Sequence, residues 1–304
     1  MMRKIPTPEE FFGFKPGSDR KMIRWEKLLE YYYSLEKLSD RIKIVEMGPS
    51  SEGNPFIMMF VSEKENLENL EYYREISLKM ADPRGLSEEE IDDLASRGKA
   101  VCMQNYGLHS NEVGGPQMVP LMVYDLITAE SGKLKRILDN VIFIICPCSE
   151  PDGEIIFTDW FYKYLGTEYE GVVSPYLRHN WAGHSNNRDS IRECLIESVY
   201  LNDMLIRNWK PQAYQDHHHS WAWEERMYLA PKCDPIYEHY SPIIQRETAL
   251  YGAKMAQDLS LAGRRGITLG HPDFAFAPIT AFYNNAQLHN IAGMLTENAD
   301  CEIA

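Results

Sequence analysis

The sequence predicts an α/β fold, a β-sheet covered by helices on both faces, formed by a single domain over residues 1–304. Three observations favour this fold. Runs typical of β-strands alternate with helical segments from about residue 100 onwards. The hydrophobic content of 44% can fill a sizeable core. No internal repeat, and no linker rich in Pro, Gly and Ser, divides the chain.

The first 98 residues are expected to add helices and a hairpin to this same domain. The stretch TPEE at residues 7–10 has the pattern of a capping box, with Pro at the first helical position, so a short helix should begin there. A longer amphipathic helix is expected at about residues 19–38. Two β-type runs within residues 41–62 flank a turn and predict a hairpin, and the charged stretch at 63–97 is helical in type.

Strand-like and helical segments then alternate, in the order AVCMQNYG, GPQMVPLMVYDLI, VIFIICPC, SIRECLIESVYLNDMLIRNW and PQAYQDHHH. A long loop rich in Gly and aromatic residues is expected at about residues 147–189, where it would be improbable unless it built a site. A helix at about 236–261 and a buried strand, IAGMLTE at 291–297, complete the chain.

The net charge and the hydropathy pattern exclude some classes of partner. The chain carries 31 Lys and Arg against 45 Asp and Glu, a net charge of −14 that would repel nucleic acid and anionic membrane surfaces. No apolar run approaches the roughly 20 residues of a membrane-spanning helix. The start of the chain lacks the apolar core of a signal peptide, so a cytoplasmic location is expected, with export open if a leader was removed.

The cysteines are expected to be reduced, buried and structural, because none has CxxC spacing and most lie in apolar surroundings. They are Cys102, Cys146, Cys148, Cys194, Cys233 and Cys301.

Four side chains with metal or acid–base chemistry lie where predicted strands end, and in open α/β sheets binding sites form outside those ends. His109 and Glu112 are close enough in one turn to bind a single ion, and His218 could complete the three-ligand shell of a catalytic zinc. A water on such a zinc still needs a base, for which Glu297 at the end of an apolar strand is the natural candidate. The HxxE pair alone is a weak signal that usually marks a solvated surface, whereas three adjacent histidines in DHHHS are harder to explain by chance.

With these residues in place, the sequence resembles the zinc metallocarboxypeptidases of the carboxypeptidase A type, especially their broad bacterial branch. The similarity covers nearly the whole chain and is carried by TPEEFFGF, MGPSSEGNP, LHSNE, EPDG, GHSNNRD, AYQDHHHS and HNIAGMLTE. It implies a single-domain, mixed, mostly parallel sheet of about eight strands with helices on both faces. It also implies one Zn²⁺ ion, and hydrolysis of the C-terminal peptide bond of a peptide with a free terminal carboxylate.

The resemblance assigns roles residue by residue. It makes His109, Glu112 and His218 the zinc ligands and Glu297 the general base, which later gives the proton to the leaving amine. His217 and His219 then point to the opposite face of the strand, where packing or substrate contact is expected.

Further residues would bind the substrate. Asn187 and Arg188 would hold the terminal carboxylate, which a planar guanidinium fits with two hydrogen bonds. Arg178 is the candidate for stabilising the oxyanion, with His184 as the alternative. Tyr283 is the candidate for the tyrosine that covers the substrate from a mobile loop.

Three features depart from the family pattern. Ser185 stands where relatives have an Asp that hydrogen-bonds the first His ligand, which predicts weaker zinc binding unless another group substitutes. Glu150 stands where relatives usually have Asn. Only NADCEIA follows Glu297, so the C-terminal end is expected to be truncated or built differently, and an uncovered strand could promote association. The oligomeric state stays open.

Two alternative functions remain at this point. One is an amidohydrolase of the same fold that removes acyl groups from N-acyl amino acids, for which HSNE would serve equally well. The other is a zinc-binding module with weak or no catalysis, which the departures at Ser185 and Glu150 would favour. Full-length similarity to carboxypeptidases favours peptide substrates.

Overall fold

The computed structural model describes residues 4–176, 179, 182–220, 225–231, 237–270 and 280–299. The strands within these ranges are β1 (Ile42–Pro49), β2 (Pro55–Val61), β3 (Ala100–Tyr106), β4 (Val141–Cys146), β5 (Ala213–Ser220), β6 (Met227–Leu229), β7 (Ile267–Leu269) and β8 (Ala292–Ala299). The helices are α1 (Pro8–Phe12), α2 (Trp25–Leu38), α3 (Lys64–Glu68), α4 (Leu70–Ala81), α5 (Glu88–Arg97), α6 (Gly114–Ile127), α7 (Gly132–Asn140), α8 (Pro151–Tyr164), α9 (Ile196–Asn202), α10 (Pro242–Leu261) and α11 (Phe282–Leu288).

The described strands form one mixed sheet in the order β1-β2-β4-β3-β5-β8-β6-β7. Its centre is parallel, because β3 pairs in parallel with both β4 and β5, and β5 pairs in parallel with β8. The hairpin β1–β2 joins β4 in antiparallel fashion at one side, and β6 joins β8 in antiparallel fashion at the other. The carboxyl ends of β3, β5 and β8 therefore lie side by side at one edge of the sheet.

Helices cover both faces of this sheet, and strand β2 shows it most directly. Its side chains alternate between two hydrophobic clusters: Phe56, Met58 and Phe60 belong to one, and Ile57 and Met59 to the other. All five are at most 3% exposed. A strand buried on both sides reads as a continuous apolar run, which explains the sequence PFIMMFV. The predicted fold class is confirmed.

Most predicted elements are present, and some bounds differ. Helix α1 has the expected capping box between Thr7 and Glu10, and the hairpin β1–β2 forms as predicted. The helix expected from about residue 19 begins only at Trp25. The helix expected at 190–209 begins at Ile196 and continues as a π-helical segment over Asp203–Asn208.

The expectation of one long loop over residues 147–189 was wrong. Helix α8 occupies Pro151–Tyr164, with Pro151 at a first-turn position where its missing N–H is no loss. The remaining segment ends in a short 3-10 helix at Asn186–Arg188. Helix α7, helix α11 and the short strands β6 and β7 were also not predicted.

The four described cysteines are free. Cys146 and Cys148 are buried as expected, but Cys102 is only half-buried and Cys194 is exposed, so the expectation of burial was wrong for these two residues. Cys233 and Cys301 lie outside the described residues. Within the described ranges, none of the helices combines the length and the apolar character that crossing a bilayer would require.

Candidate metal centre

The first part of the site is a tight turn directly after strand β3. The backbone N–H of Glu112 donates to the carbonyl of His109 at 2.9 Å, which closes the turn and sets both side chains on one side. Gly107 leads into it with a φ of 63°, and a Cβ there would lie 2.7 Å from Cγ of Pro116. Only glycine suits that position, because both the backbone conformation and the space exclude a side chain.

Glu112 lies between the two predicted histidine ligands. Its Oε1 is 2.5 Å from Nδ1 of His109, and its Oε2 is 2.8 Å from Nδ1 of His218. The backbone N–H of His219 also donates to Oε2 at 3.1 Å. One donor atom from each of His109, Glu112 and His218 lies within 4.8 Å of the others, so the structure brings the three predicted ligands together.

Burial and charge tie these three groups together electrostatically. His109 is 8% exposed and His218 is 1% exposed. Burial disfavours ionisation of Glu112, yet the two neighbouring imidazoles hold the pKa of Glu112 well below its usual range. Burial likewise opposes protonation of His218, but Asp216 and Glu112 raise its pKa well above the usual value. The carboxylate is thus held ionised, which is the state that binds a cation.

His218 is oriented by a carboxylate on the same face of its own strand. Asp216 is fully buried, and its Oδ2 lies 3.3 Å from Nε2 of His218. Asn105 on strand β3 donates to the other oxygen of Asp216 at 3.1 Å. With Nε2 facing a carboxylate, Nδ1 of His218 is left to face Glu112, the arrangement typical of metal-binding histidines.

Strand register brings Glu297 beside His218. The two residues pair directly between the parallel strands β5 and β8, so their side chains share one face of the sheet. Glu297 is 7% exposed, and within the described residues its Oε2 is buried without a hydrogen-bond partner. Burial raises the pKa of Glu297 to about 8, although the nearby His218 acts to lower it. A carboxyl with a pKa near neutrality can both accept and release a proton.

The other two histidines of the triplet lie on the opposite face, as predicted, and they pack there. Nδ1 of His217 contacts Oγ1 of Thr296 at 2.7 Å. A Cβ on Gly114, the first residue of α6, would lie 2.4 Å from the ring of His219. Burial and the neighbouring His219 and His218 lower the pKa of His217 to about 3, so its ring is neutral. The packing expectation is borne out for the neighbours that the structure describes.

The predicted carboxylate-binding pair lies next to the metal centre. Asn187 is 5% exposed, and its Nδ2 lies 3.5 Å from Nε2 of His218. Arg188 is exposed and donates to the carbonyl of Asn187 at 2.8 Å. Ser185 caps this segment by accepting the N–H of Asn187 at 3.2 Å. Substrate contact by this pair stays a prediction.

Three further predicted residues have different outcomes. Arg178 lies outside the described residues. The location expected for Tyr283 is corrected: it lies in helix α11 and is 2% exposed, because its ring packs in the hydrophobic core rather than on an open loop. His184 contacts Oδ1 of the buried Asp189 at 3.0 Å.

Two carboxylates beside the site were not assigned a role from the sequence. The position of Asp216 beside His218 could have been predicted, because side chains alternate along a strand and residues two apart share a face. Glu150 was noted only as a departure, although its Oε2 accepts the backbone N–H of Ser110 inside the ligand turn at 2.9 Å. No local sequence pattern predicts the contact between Glu150 and Ser110, because it joins two segments that are far apart in the chain.

Comparison with known proteins agrees with this geometry. The family described as Zinc carboxypeptidase matches residues 28–258, which is most of the chain. The matched region contains His109, Glu112 and His218 and ends before Glu297, whose assignment therefore depends on strand register. A comparison with curated protein sequences gave no match.

Solved structures show the same fold at low sequence identity. Carboxypeptidase A from Helicoverpa armigera gives a TM-score of 0.60 at 15% identity, covering 93% of this chain and 65% of that one. A metallocarboxypeptidase from Burkholderia cenocepacia gives 0.57 at 15% identity, covering 88% of this chain and 58% of that one. One from Pseudomonas aeruginosa gives 0.56 at 14% identity, covering 90% and 58%. The chain thus spans 58% to 65% of the length of these solved chains.

Proposed function

Because the chain belongs to the zinc carboxypeptidase family, we propose that it is a zinc-dependent carboxypeptidase that hydrolyses the C-terminal peptide bond of peptides. The observation that carries this proposal is the convergence of His109, Glu112 and His218 within 4.8 Å of one another, beside Glu297. These residues come from three different strand ends, and a buried cluster of this composition has no structural purpose that a few apolar residues would not serve better.

The donor set fits zinc. Two imidazole nitrogens and one carboxylate are the ligands found in catalytic zinc sites, which keep a fourth position open. His218 is held by Asp216 with its Nδ1 towards Glu112, and the turn fixes His109 beside the same carboxylate. When bound, zinc would polarise the scissile carbonyl and lower the pKa of a water molecule to about 7.

Glu297 would move the proton. Its position in register with His218 brings the carboxyl to the face of the sheet on which the ligands lie. It would take the proton from the attacking water and return it to the nitrogen of the leaving amino acid. Both steps need a carboxyl that exchanges protons near neutral pH, and the raised pKa of Glu297, about 8, supports that role.

Asn187 and Arg188 would select for a free C-terminus. Asn187 borders His218, and Arg188, an exposed residue, follows it directly in the chain. A guanidinium and an amide together offer several donors to a carboxylate, which explains a preference for terminal over internal peptide bonds. This selection would place the last peptide bond, and no other, beside Glu297.

The experiment is an assay of the purified chain with a mixture of peptides, each presented with a free and with an amidated C-terminus. Release of terminal amino acids from the free peptides, lost with a chelator and restored by Zn²⁺, supports the proposal. N-acyl amino acids are included in parallel, and turnover of these instead of peptides would identify a deacylase. Zinc binding without any hydrolysis would refute catalysis.

A further inference from the structure

The ligand turn has a buried N–H that the turn itself cannot satisfy. The hydrogen bond from Glu112 to His109 closes the turn across Ser110 and Asn111. In a turn of this kind the N–H of the second residue points outwards and needs an external acceptor. Ser110 is 2% exposed, and Oε2 of Glu150 accepts this N–H at 2.9 Å.

Glu150 is placed for this contact rather than for its own helix. It is the N-cap residue of α8, yet its side chain makes no capping hydrogen bond to that helix. It is 2% exposed, and its Oε1 lies 3.7 Å from Nε2 of the buried His179. The neighbouring Ser149 donates its N–H at 2.9 Å and its hydroxyl at 3.2 Å to the carbonyl of Tyr106, the last residue of β3. The carboxylate is therefore anchored to the strand that carries the ligand turn.

We propose that Glu150 is a positioning residue for the metal centre, which acts through the Ser110 N–H to hold His109 and Glu112 in the geometry that binds zinc. The inference rests on the proposed function, because it concerns the same zinc site. It goes beyond that function in naming a buried carboxylate, forty residues away in sequence, that organises two of the three ligands without touching the ion. Its effect depends on the hydrogen bond to Ser110 and not on charge alone.

A second buried glutamate provides a matched control. Glu197 is 3% exposed and accepts the backbone N–H of Ser51 at 2.7 Å and its hydroxyl at 3.1 Å. It thus makes the same kind of contact to a loop, but among the described residues no hydrogen bond or ion pair joins it to His109, Glu112 or His218. Truncating Glu197 should weaken the fold in a similar way while leaving the zinc site unchanged.

The test is zinc affinity of the full chain, measured by competition with a chromophoric chelator, together with thermal unfolding of each metal-free variant. Glu150→Ala should bind zinc about 10- to 100-fold more weakly than the natural chain. Glu150→Gln keeps an oxygen acceptor for Ser110 and should bind within about fivefold. Glu150→Asp keeps the charge but is one methylene shorter, so its affinity should fall with that of the alanine variant. Glu197→Ala should bind zinc as the natural chain does.

Other outcomes would overturn the inference. An affinity of Glu150→Ala within about fivefold of the natural chain would mean that the turn needs no external acceptor. Equal losses for Glu150→Gln and Glu150→Ala would mean that charge, not the hydrogen bond, matters. A loss in Glu197→Ala equal to that in Glu150→Ala would reduce the effect to general destabilisation. If the natural chain itself bound no zinc, the proposed function would fail, which is a distinct result.

Discussion

Burial of the carboxyl of Glu154 makes the stability of the chain depend on pH in a way that can be calculated. Glu154 lies in the first turn of α8 and is 1% exposed. The hydroxyl of Thr158 donates to its Oε1 at 2.9 Å, and the backbone N–H of Trp25 also donates to the carboxyl. In the described part of the chain its Oε2 is buried without a hydrogen-bond partner. Burial raises the pKa of Glu154 from 4.5 to about 8.

The change to make is Glu154→Gln, which keeps the size of the side chain and removes its titration. A carboxyl with a raised pKa in the folded state favours folding fully below the unfolded pKa of 4.5, and that contribution is lost as pH rises towards 8. At pH 7 the loss is about 3 kcal/mol, from 1.36 kcal/mol per unit over roughly 2.5 units, and at pH 5 it is below about 1 kcal/mol. The glutamine variant should therefore gain about 2 to 3 kcal/mol of unfolding free energy relative to the natural chain between pH 5 and pH 7.

The assay is urea unfolding of both proteins across pH 5 to 8, with the difference in unfolding free energy plotted against pH. The difference in unfolding free energy between the two proteins cancels the contribution of every other titrating group. A constant penalty for burying the amide shifts the plot but does not change its slope with pH. Glu168→Gln, at an exposed position, is the matched control and should give a difference that does not change with pH. A flat line for Glu154→Gln, or a slope of the opposite sign, would refute the reasoning.

Three further predictions concern catalysis, metal binding and packing. Glu297→Gln should lower the rate of C-terminal release by about 10²- to 10⁴-fold, with zinc affinity unchanged in a chelator competition. Asp216→Asn should weaken zinc binding by about 10- to 100-fold in the same competition, because the imidazole that it orients loses its carboxylate partner. Gly252→Ala should destabilise the chain by about 1 to 3 kcal/mol in urea unfolding, since its Cβ would lie 1.6 Å from the carbonyl oxygen of Ala230. Gly183→Ala, which meets nothing within 4 Å, should stay near neutral.

The sequence predicts the part of the site that depends on strand ends. Apolar runs identify β3, β5 and β8, and a parallel sheet brings their carboxyl ends to one edge. That rule alone is enough to bring His109, Glu112, His218 and Glu297 into one region. The order of the strands in the sheet could not be predicted from the sequence, however. These side chains come within contact distance because β5 pairs directly with both β3 and β8.

The parts that sequence reasoning missed depend on contacts between segments far apart in the chain. Helix α8 is missed because the Gly and aromatic residues of that region favour a loop more strongly than Pro151 favours the start of a helix. The hydrogen bond from Ser110 to Glu150 uses a backbone N–H. Every non-proline residue has this group, so the sequence does not indicate which N–H the carboxylate accepts. Tyr283 was assigned by proximity to the last strand, whereas burial in the core decides where its ring lies.

The three adjacent histidines His217–His218–His219 do not by themselves determine which imidazole faces the metal centre, because this depends on the register of β5. A one-residue slip of β5 would turn a different imidazole to the ligand face, so histidine alone does not specify the pairing. The register is specified by a row of hydrogen-bonded polar side chains on the opposite face of the sheet. Gln104 donates to Gln215 at 3.1 Å, and Gln215 donates to Thr296 at 3.1 Å. These contacts join β3, β5 and β8, and any slip would break the hydrogen bonds of these half-buried amides, at about 0.5 to 1.5 kcal/mol each. The hydrogen-bonded polar groups on one face of the sheet thus help to select the histidine that the other face presents to the metal centre.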